Sequence, residues 1–410
     1  MQTCRLCGGT ALHVVVDLGT SPLSNAYLSV DDLAQPETFY PLVPRFCEDC
    51  YLVQLPELVA PERIFSEYAY FSSYSDSWTQ HAQQYAEAMI ETLGLSSGDL
   101  VVEVASNDGY LLKNFHAAGI PVLGIEPARN VAAAAEQAGV RTISRFFGVM
   151  LAEELARDGQ RANLLIGNNV LAHVPDLHDF VGGLRAILAP GGVLTMEFPH
   201  LLRLLEQTQF DTIYHEHFSY LSLLTVDRLF GRHGLTIFDV EELPTHGGSL
   251  RIYAAGQGDR PRGARVDRLE QRERDAGLTS LEPYRTFAKR VQHTKLALLR
   301  FLVEQRERGL RVAGYGAPAK ANTLLNYCGV RPDLLEYTVD RSPHKQGRFL
   351  PGTRIPVHAP ERLAATRPDW IVILPWNLRQ EIADWLRPAR EWGAQLVVPI
   401  PVVEVIDADR

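Results

Sequence analysis

The sequence predicts an α/β chain in three parts: a small cysteine-bearing module, a central domain on a parallel sheet, and a smaller C-terminal α/β domain. Three observations carry this. Two Cys-x-x-Cys pairs lie close to the N-terminus, strands and helices alternate regularly through the middle of the chain, and the alternation resumes after a charged stretch near residue 258. With 410 residues, 46% of them hydrophobic, the chain can bury more than one core, because single cores stop growing near about 250 residues.

Residues 1–70 hold both cysteine pairs among short apolar runs and many prolines, a strand-and-turn module without a large core of its own. From residue 78, "WTQHAQQYAEAMIETLGL" spaces apolar residues as a helix does and ends at Gly94. "DLVVEVAS", "PVLGIEP" and "ANLLIGNNVLAH" each read as a strand followed by a helix, at 109–118, 128–138 and 177–188. "PGGVLTMEFPH" adds a strand, and "LTIFDVEELP" with "GSLRIYAAG" reads as an antiparallel pair closing a Rossmann-like sheet over 78–257. The stretch "GQGDRPRGARVDRLEQRERDAG" reads as a boundary, and a connecting helix at 281–308 opens the third domain, 281–410.

The net charge of -9 disfavours a nucleic-acid partner. No apolar run reaches the roughly 18 residues of a membrane span, and the first residues lack a basic patch and an apolar core, so a cytoplasmic chain with no membrane partner is expected. Two α/β domains and a small module can bury enough surface as a monomer, the expected state.

Cys4 with Cys7 and Cys47 with Cys50 give two tight turns carrying two thiolates each, the pattern of a closed tetrahedral Zn2+ site. Four protein ligands leave no position for water, so the zinc is expected to be structural. Cys328 sits among apolar helical residues and reads as core.

The strand "LVVEVAS" ends at Glu103 and Ala105 and runs into a turn with Asn107, Asp108 and Gly109. This is where an open α/β sheet binds ligands. The next strand ends at Glu126 and Pro127, about 20 residues on, where a carboxylate can accept both hydroxyls of a ribose. One glycine beside two acidic residues suits the cationic groups of S-adenosylmethionine better than a pyrophosphate. Asn168, Asn169 and His173, in "NNVLAHVPDL", face the same crevice.

In the third domain, "LRVAGYGAPAKANTLL" is a strand, a turn with Gly316, and a helix bearing Lys320 near its start, suited to phosphate. Lys345 and Arg348 on a later loop, and His246, Ser249 and Arg251 in "HGGSLR", are further candidate substrate contacts.

Taken with "YFSSYS", "EVASNDGYLL", "GIEP", "NNVLAHVPD", "YHEHFSY" and "GYGAPAKANTLL", the chain resembles the nucleotide-sugar C-methyltransferases of deoxysugar biosynthesis along nearly its whole length. The resemblance implies a zinc-binding N-terminal domain, a central methyltransferase domain and a C-terminal domain that helps hold a dTDP-linked keto-deoxysugar. It implies His217 as general base, with Glu216 and Tyr214 beside it, and active-site roles for His173 and for a tyrosine of "EYAYFSSYS". Tyr70 is the first choice for that tyrosine and Tyr68 the second.

The chemistry matches those residues. A carbon next to a ketone becomes a nucleophile only when its proton is removed, a histidine can take that proton near neutral pH, and a hydroxyl donor steadies the enolate oxygen. Were "YHEHF" extended, His215 and His217 would share one face and Glu216 the other, which a turn would relax. C-3 and C-5 both flank a 4-ketone; overall likeness favours C-3 of a 3-amino sugar. Two other readings stay open, an oxidoreductase using the C-terminal Gly-x-Gly turn for a nicotinamide cofactor and a zinc module recruiting a partner.

Overall fold

The computed structural model describes residues 3–65, 72–74 and 76–406. Its largest sheet has seven strands, β1 (Val101–Val104), β2 (Val122–Ile125), β3 (Thr142–Ile143), β4 (Ala162–Asn168), β5 (Leu188–Pro199), β6 (Leu235–Leu243) and β7 (Ser249–Gly256). They lie in the order β6-β7-β5-β4-β1-β2-β3. β5, β4, β1, β2 and β3 are parallel, while β7 runs antiparallel between β5 and β6. All four residues of β1 are buried, as expected of a central parallel strand covered on both faces. The chain leaves β1 toward β2 and β3 and returns on the other side to β4. That reversal opens a crevice at the carboxyl ends of β1 and β4.

The C-terminal sheet holds β8 (Val312–Tyr315), β9 (Thr338–Val339), β10 (Val357–His358), β11 (Trp370–Ile373), β12 (Gln395–Val398) and β13 (Glu404–Ile406), ordered β10-β9-β8-β11-β12-β13. Only β13 is antiparallel to its neighbour. Its crevice, at the carboxyl end of β8, carries the turn that leads into the helix Ala319–Cys328.

The N-terminal strands Leu12–Val14, Arg45–Cys47 and Val53–Gln54 form an antiparallel sheet whose fourth strand is Ser219–Tyr220, contributed by the chain just after His217. The module's apolar residues divide between two cores. Phe46 and Leu55 pack with Phe287 and Val291 of the helix Glu282–Glu307, whereas Leu6 and Leu52 join the core under the seven-stranded sheet. Packing against both neighbours is therefore what holds this short module together, along with its four cysteines.

Within the charged stretch that follows residue 258, Ala264–Asp275 is a helix. Glu273, fully buried, accepts hydrogen bonds from the amides of Leu223 and Leu224 at 2.7 and 2.8 Å and from His200 Nε2 at 2.7 Å. It thus satisfies the open amides at the start of helix Leu223–Arg232 and ties the segment to the central sheet. Cys328 is buried in its helix, where burial pushes its thiol up to about 12, so it is a core residue and no nucleophile.

Candidate active site

A cavity of about 710 Å³ runs from the carboxyl ends of β1, β2 and β4 to the C-terminal sheet. Residues of all three parts line it, from Asn25 through Asn107 and His217 to Lys320 and Lys345.

At one end, the turn after β1 puts Ala105, Asn107 and Gly109 in the left-handed region, with φ of 57°, 49° and 76°. Two of the three carry side chains, a conformation that costs roughly 1–2 kcal/mol per residue and is held by partners. Asn107 Oδ1 accepts from the Ser72 amide at 2.9 Å, and Asp108 Oδ2 from the Ser73 amide at 3.1 Å. Gly109 has no such latitude, since a Cβ there would lie 3.0 Å from Val140. Glu126 accepts from the amides of Asn107 and Ala128 at 3.0 and 2.8 Å, leaving one further lone pair on each oxygen for hydroxyls.

Beneath this turn, Glu103 is fully buried and neither carboxylate oxygen has a hydrogen-bond partner among the described residues. Burial, with Glu126 and Asp108 nearby, holds its carboxyl well above the usual range. A buried carboxylate without a partner calls for a cationic ligand. Glu103, like Asp108 and Gly109, does not itself line the cavity, but its charge suits the sulfonium and amino groups of S-adenosylmethionine beyond the wall; Glu126, on the wall, fits the ribose, and the Oδ1 atoms of Asn168 and Asn169, without partners among the described residues, offer further acceptors.

In the middle of the cavity, Tyr214–His217 forms a turn closed by the His217 amide on the Tyr214 carbonyl at 2.9 Å. The turn sends its side chains apart. His215 Nε2 donates to Pro41 O at 3.1 Å, Glu216 Oε1 accepts from Asn25 Nδ2 at 2.7 Å, and His217 faces the cavity. The three do not converge, which disposes of a metal site made by the His-Glu-His run itself.

His217 Nδ1 donates to Thr212 O at 2.8 Å, so Nε2 carries the ring's lone pair. Its ring centroid lies 4.1 Å from that of Tyr214 and 4.7 Å from that of His173, both lining the cavity. Burial, then His173, hold the His217 imidazole well below its ordinary value, and burial lowers His173 to about 4. Tyr68 and Tyr70 lie outside the described residues.

At the far end, Lys320 Nζ donates to Asn377 Oδ1 at 2.7 Å and sits 5.0 Å from the centre of the Trp376 ring. Lys345 donates to Ala317 O at 3.0 Å and lies 3.6 Å from Asp340. His246 also lines the cavity, its Nε2 3.2 Å from Asn169 Nδ2.

Four sequence candidates for substrate contact lie elsewhere. Among the described residues, Ser249, Arg251, Gly316 and Arg348 do not line the cavity. Ser249 is buried and donates to Thr245 O at 3.1 Å. Arg251 is consumed inside the sheet by Glu197 at 2.7 Å and Glu241 at 3.1 Å. Gly316 gives its amide to Val339 O and shapes a turn in which a Cβ would strike Pro375 at 2.4 Å. Arg348 is exposed. Sequence reasoning missed Asn25, Trp78 and Asn377, which line the cavity as single polar or aromatic residues with no motif around them.

The Sγ atoms of Cys4, Cys7, Cys47 and Cys50 lie within 4.8 Å of one another. Four thiolates about 2.3 Å from one ion would have S···S separations of about 3.8 Å, so the cluster fits tetrahedral Zn2+.

Three family descriptions match in succession: a zinc binding domain over residues 4–65, a methyltransferase domain over 78–240, and a C-methyltransferase C-terminal domain over 244–401. Over 413 aligned residues, the chain is 39% identical to the C-methyltransferase NovU of Streptomyces niveus, covering 100% of this chain and 98% of that protein. The chain belongs to the C-methyltransferase family. A shorter match, 29% identical over 27% of the chain and 44% of the relative, is to a ubiquinone biosynthesis O-methyltransferase of Bradyrhizobium sp. (strain ORS 278). Among solved structures, magnesium protoporphyrin IX methyltransferase of Synechocystis PCC 6803 with bound SAH matches 43% of this chain and 82% of its own, at 16% identity and a TM-score of 0.34.

This C-methyltransferase uses S-adenosylmethionine and carries a zinc-binding N-terminal domain. The nicotinamide reading of the Gly-x-Gly turn gives way to that family membership, and the fit of Glu103, Glu126 and the turn between them agrees with it. Among the described residues no helix is long and apolar enough to cross a membrane.

Proposed function

We propose that this C-methyltransferase methylates a carbon next to the 4-ketone of a dTDP-linked deoxysugar, with C-3 the favoured position. One observation carries the proposal: His217, with its tautomer fixed by Thr212 O, faces a single cavity bounded by the cofactor turn and by Lys320 and Lys345.

His217 Nε2 takes the proton from the carbon beside the ketone. The imidazole is neutral at pH 7 because burial disfavours its charged form, so it is ready as a base before the acceptor arrives. As the ring becomes imidazolium, Thr212 O accepts a stronger bond from Nδ1. Tyr214 is assigned as donor to the enolate oxygen, and His173 to holding the acceptor ring beside the base. Bound S-adenosylmethionine supplies the electrophilic methyl. Glu103 and Glu126 hold that cofactor, and much of the acceleration comes from fixing both partners in line. Lys320 and Lys345 are assigned to the diphosphate, whose charge offsets the burial of two ammonium groups.

The test is mass spectrometry of dTDP-4-keto-deoxysugars incubated with protein and S-adenosylmethionine in deuterated water, for the natural chain and His217→Asn. Methylated sugar from the natural chain alone supports both the reaction and the base. Absence of methyl transfer to every keto-sugar, with the cofactor bound, refutes the acceptor class. C-5 flanks the same ketone, and NMR of the product distinguishes the two positions.

A further inference from the structure

The residues that hold His217 in place come largely from outside the central sheet. Asp211 opens the path: it is fully buried on the short turn Phe210–Thr212, and its Oδ2 accepts from Trp376 Nε1, on the turn Trp376–Leu378 that follows β11, at 2.7 Å. The next residue, Thr212, supplies the carbonyl that accepts from His217 Nδ1. One residue further, Ile213 O accepts from Thr323 Oγ1 of the helix Ala319–Cys328 at 2.8 Å. Two bonds from the C-terminal part therefore bracket the one carbonyl that fixes the base. Neither Trp376 nor Thr323 lines the cavity.

We infer that Trp376 and Thr323 are positioning residues for the methyl-transfer reaction, holding Asp211 and Ile213 so that the Thr212 carbonyl stays on His217 Nδ1. The inference rests on the reading of His217 as the base. Losing that carbonyl has two effects. The imidazole proton no longer stays on Nδ1, so a smaller fraction presents the lone pair at Nε2, and the protonated ring loses an acceptor that favours it. Among the described residues, the rings that His217 meets and the charges that act on it most, those of His173, Tyr214, Tyr220, His246 and Lys320, include no carboxylate.

The inference separates this role from plain stability. Trp376→Phe keeps the aromatic packing and removes the donor to Asp211, and Thr323→Val keeps the shape and removes the donor to Ile213. Both are assayed for kcat/KM against pH with the acceptor and S-adenosylmethionine, beside His217→Asn, with folding checked by circular dichroism. Expected is a fall in kcat/KM of about 10- to 100-fold for Trp376→Phe and a smaller fall for Thr323→Val. In both, the acidic limb moves to lower pH. Folded variants with an unmoved acidic limb, whatever their rate, overturn the inference. Should Trp376→Phe fail to fold, Thr323→Val decides by the same limb. Full activity in His217→Asn would instead remove the base reading itself, whereas an inactive His217→Asn with unmoved limbs in the other two removes only the positioning role.

Discussion

The His217 imidazole donates from Nδ1 to the Thr212 carbonyl at 2.8 Å, which leaves the opposite nitrogen as the ring's only base. Because burial holds this imidazole well below its ordinary value near 6.5, the neutral form persists as pH falls past that value. The acidic limb of kcat/KM is expected below pH 6.5, and His217→Asn is expected to lower kcat by about 10²- to 10⁴-fold with little change in cofactor affinity. Steady-state rates across pH, with calorimetry for the cofactor, check both.

Glu103, as a proposed cofactor residue, is expected to trade stability for cofactor binding. Its folded carboxyl ionises later than in the unfolded chain, so the unfolded state gains from ionisation first and stability falls as pH rises through the interval between the two values. In Glu103→Gln that contribution to the slope is absent. The cofactor-free variant is expected to lose less melting temperature than the natural chain between about pH 5 and pH 8. S-adenosylmethionine should also raise its melting temperature less. An unchanged ligand-induced rise would remove Glu103 from the cofactor site.

Lys320 is expected to act in acceptor binding. Lys320→Met should raise KM for the nucleotide sugar by about 10- to 100-fold, the worth of a charged hydrogen bond, and leave the cofactor dissociation constant unchanged. A variant in which only kcat falls would place the lysine at the reacting carbon.

Metal analysis is expected to find one zinc per chain, and chelation to cost activity before cofactor binding. The reason is geometric. The strand Arg45–Cys47 ends on a zinc ligand and pairs with Val53–Gln54, which pairs with Ser219–Tyr220, two residues after His217. Retained methyl transfer in zinc-free protein would show that this sheet stands without its metal.

Much of this was legible in the sequence. Runs such as "LVVEVAS" announce central parallel strands, the cysteine spacing announces a metal, and the turn with Glu103 and Asp108 announces a cationic ligand. What was hidden depends on partners distant in the chain. Arg251 reads as a candidate substrate contact until Glu197, 54 residues earlier, is seen beside it. The helix Ala264–Asp275 reads as part of a boundary because its charges dominate, while one of the residues that anchor it, Glu273, finds partners at His200, Leu223 and Leu224. The two-residue strand Ser219–Tyr220 is too short for periodicity to reveal, and Asn25 lies on a turn with no motif to mark it.

The sheet that joins Ser219–Tyr220 to the first 54 residues means that the parts of this enzyme cannot be exchanged like beads on a string. A chain begun at residue 76 would leave the backbone of Ser219 and Tyr220 without its neighbour and would strip Asn25 and Pro41 from the sides of the His-Glu-His turn. An N-terminal module borrowed from another relative could replace this one only by bringing a matching strand edge and matching contacts at those two positions.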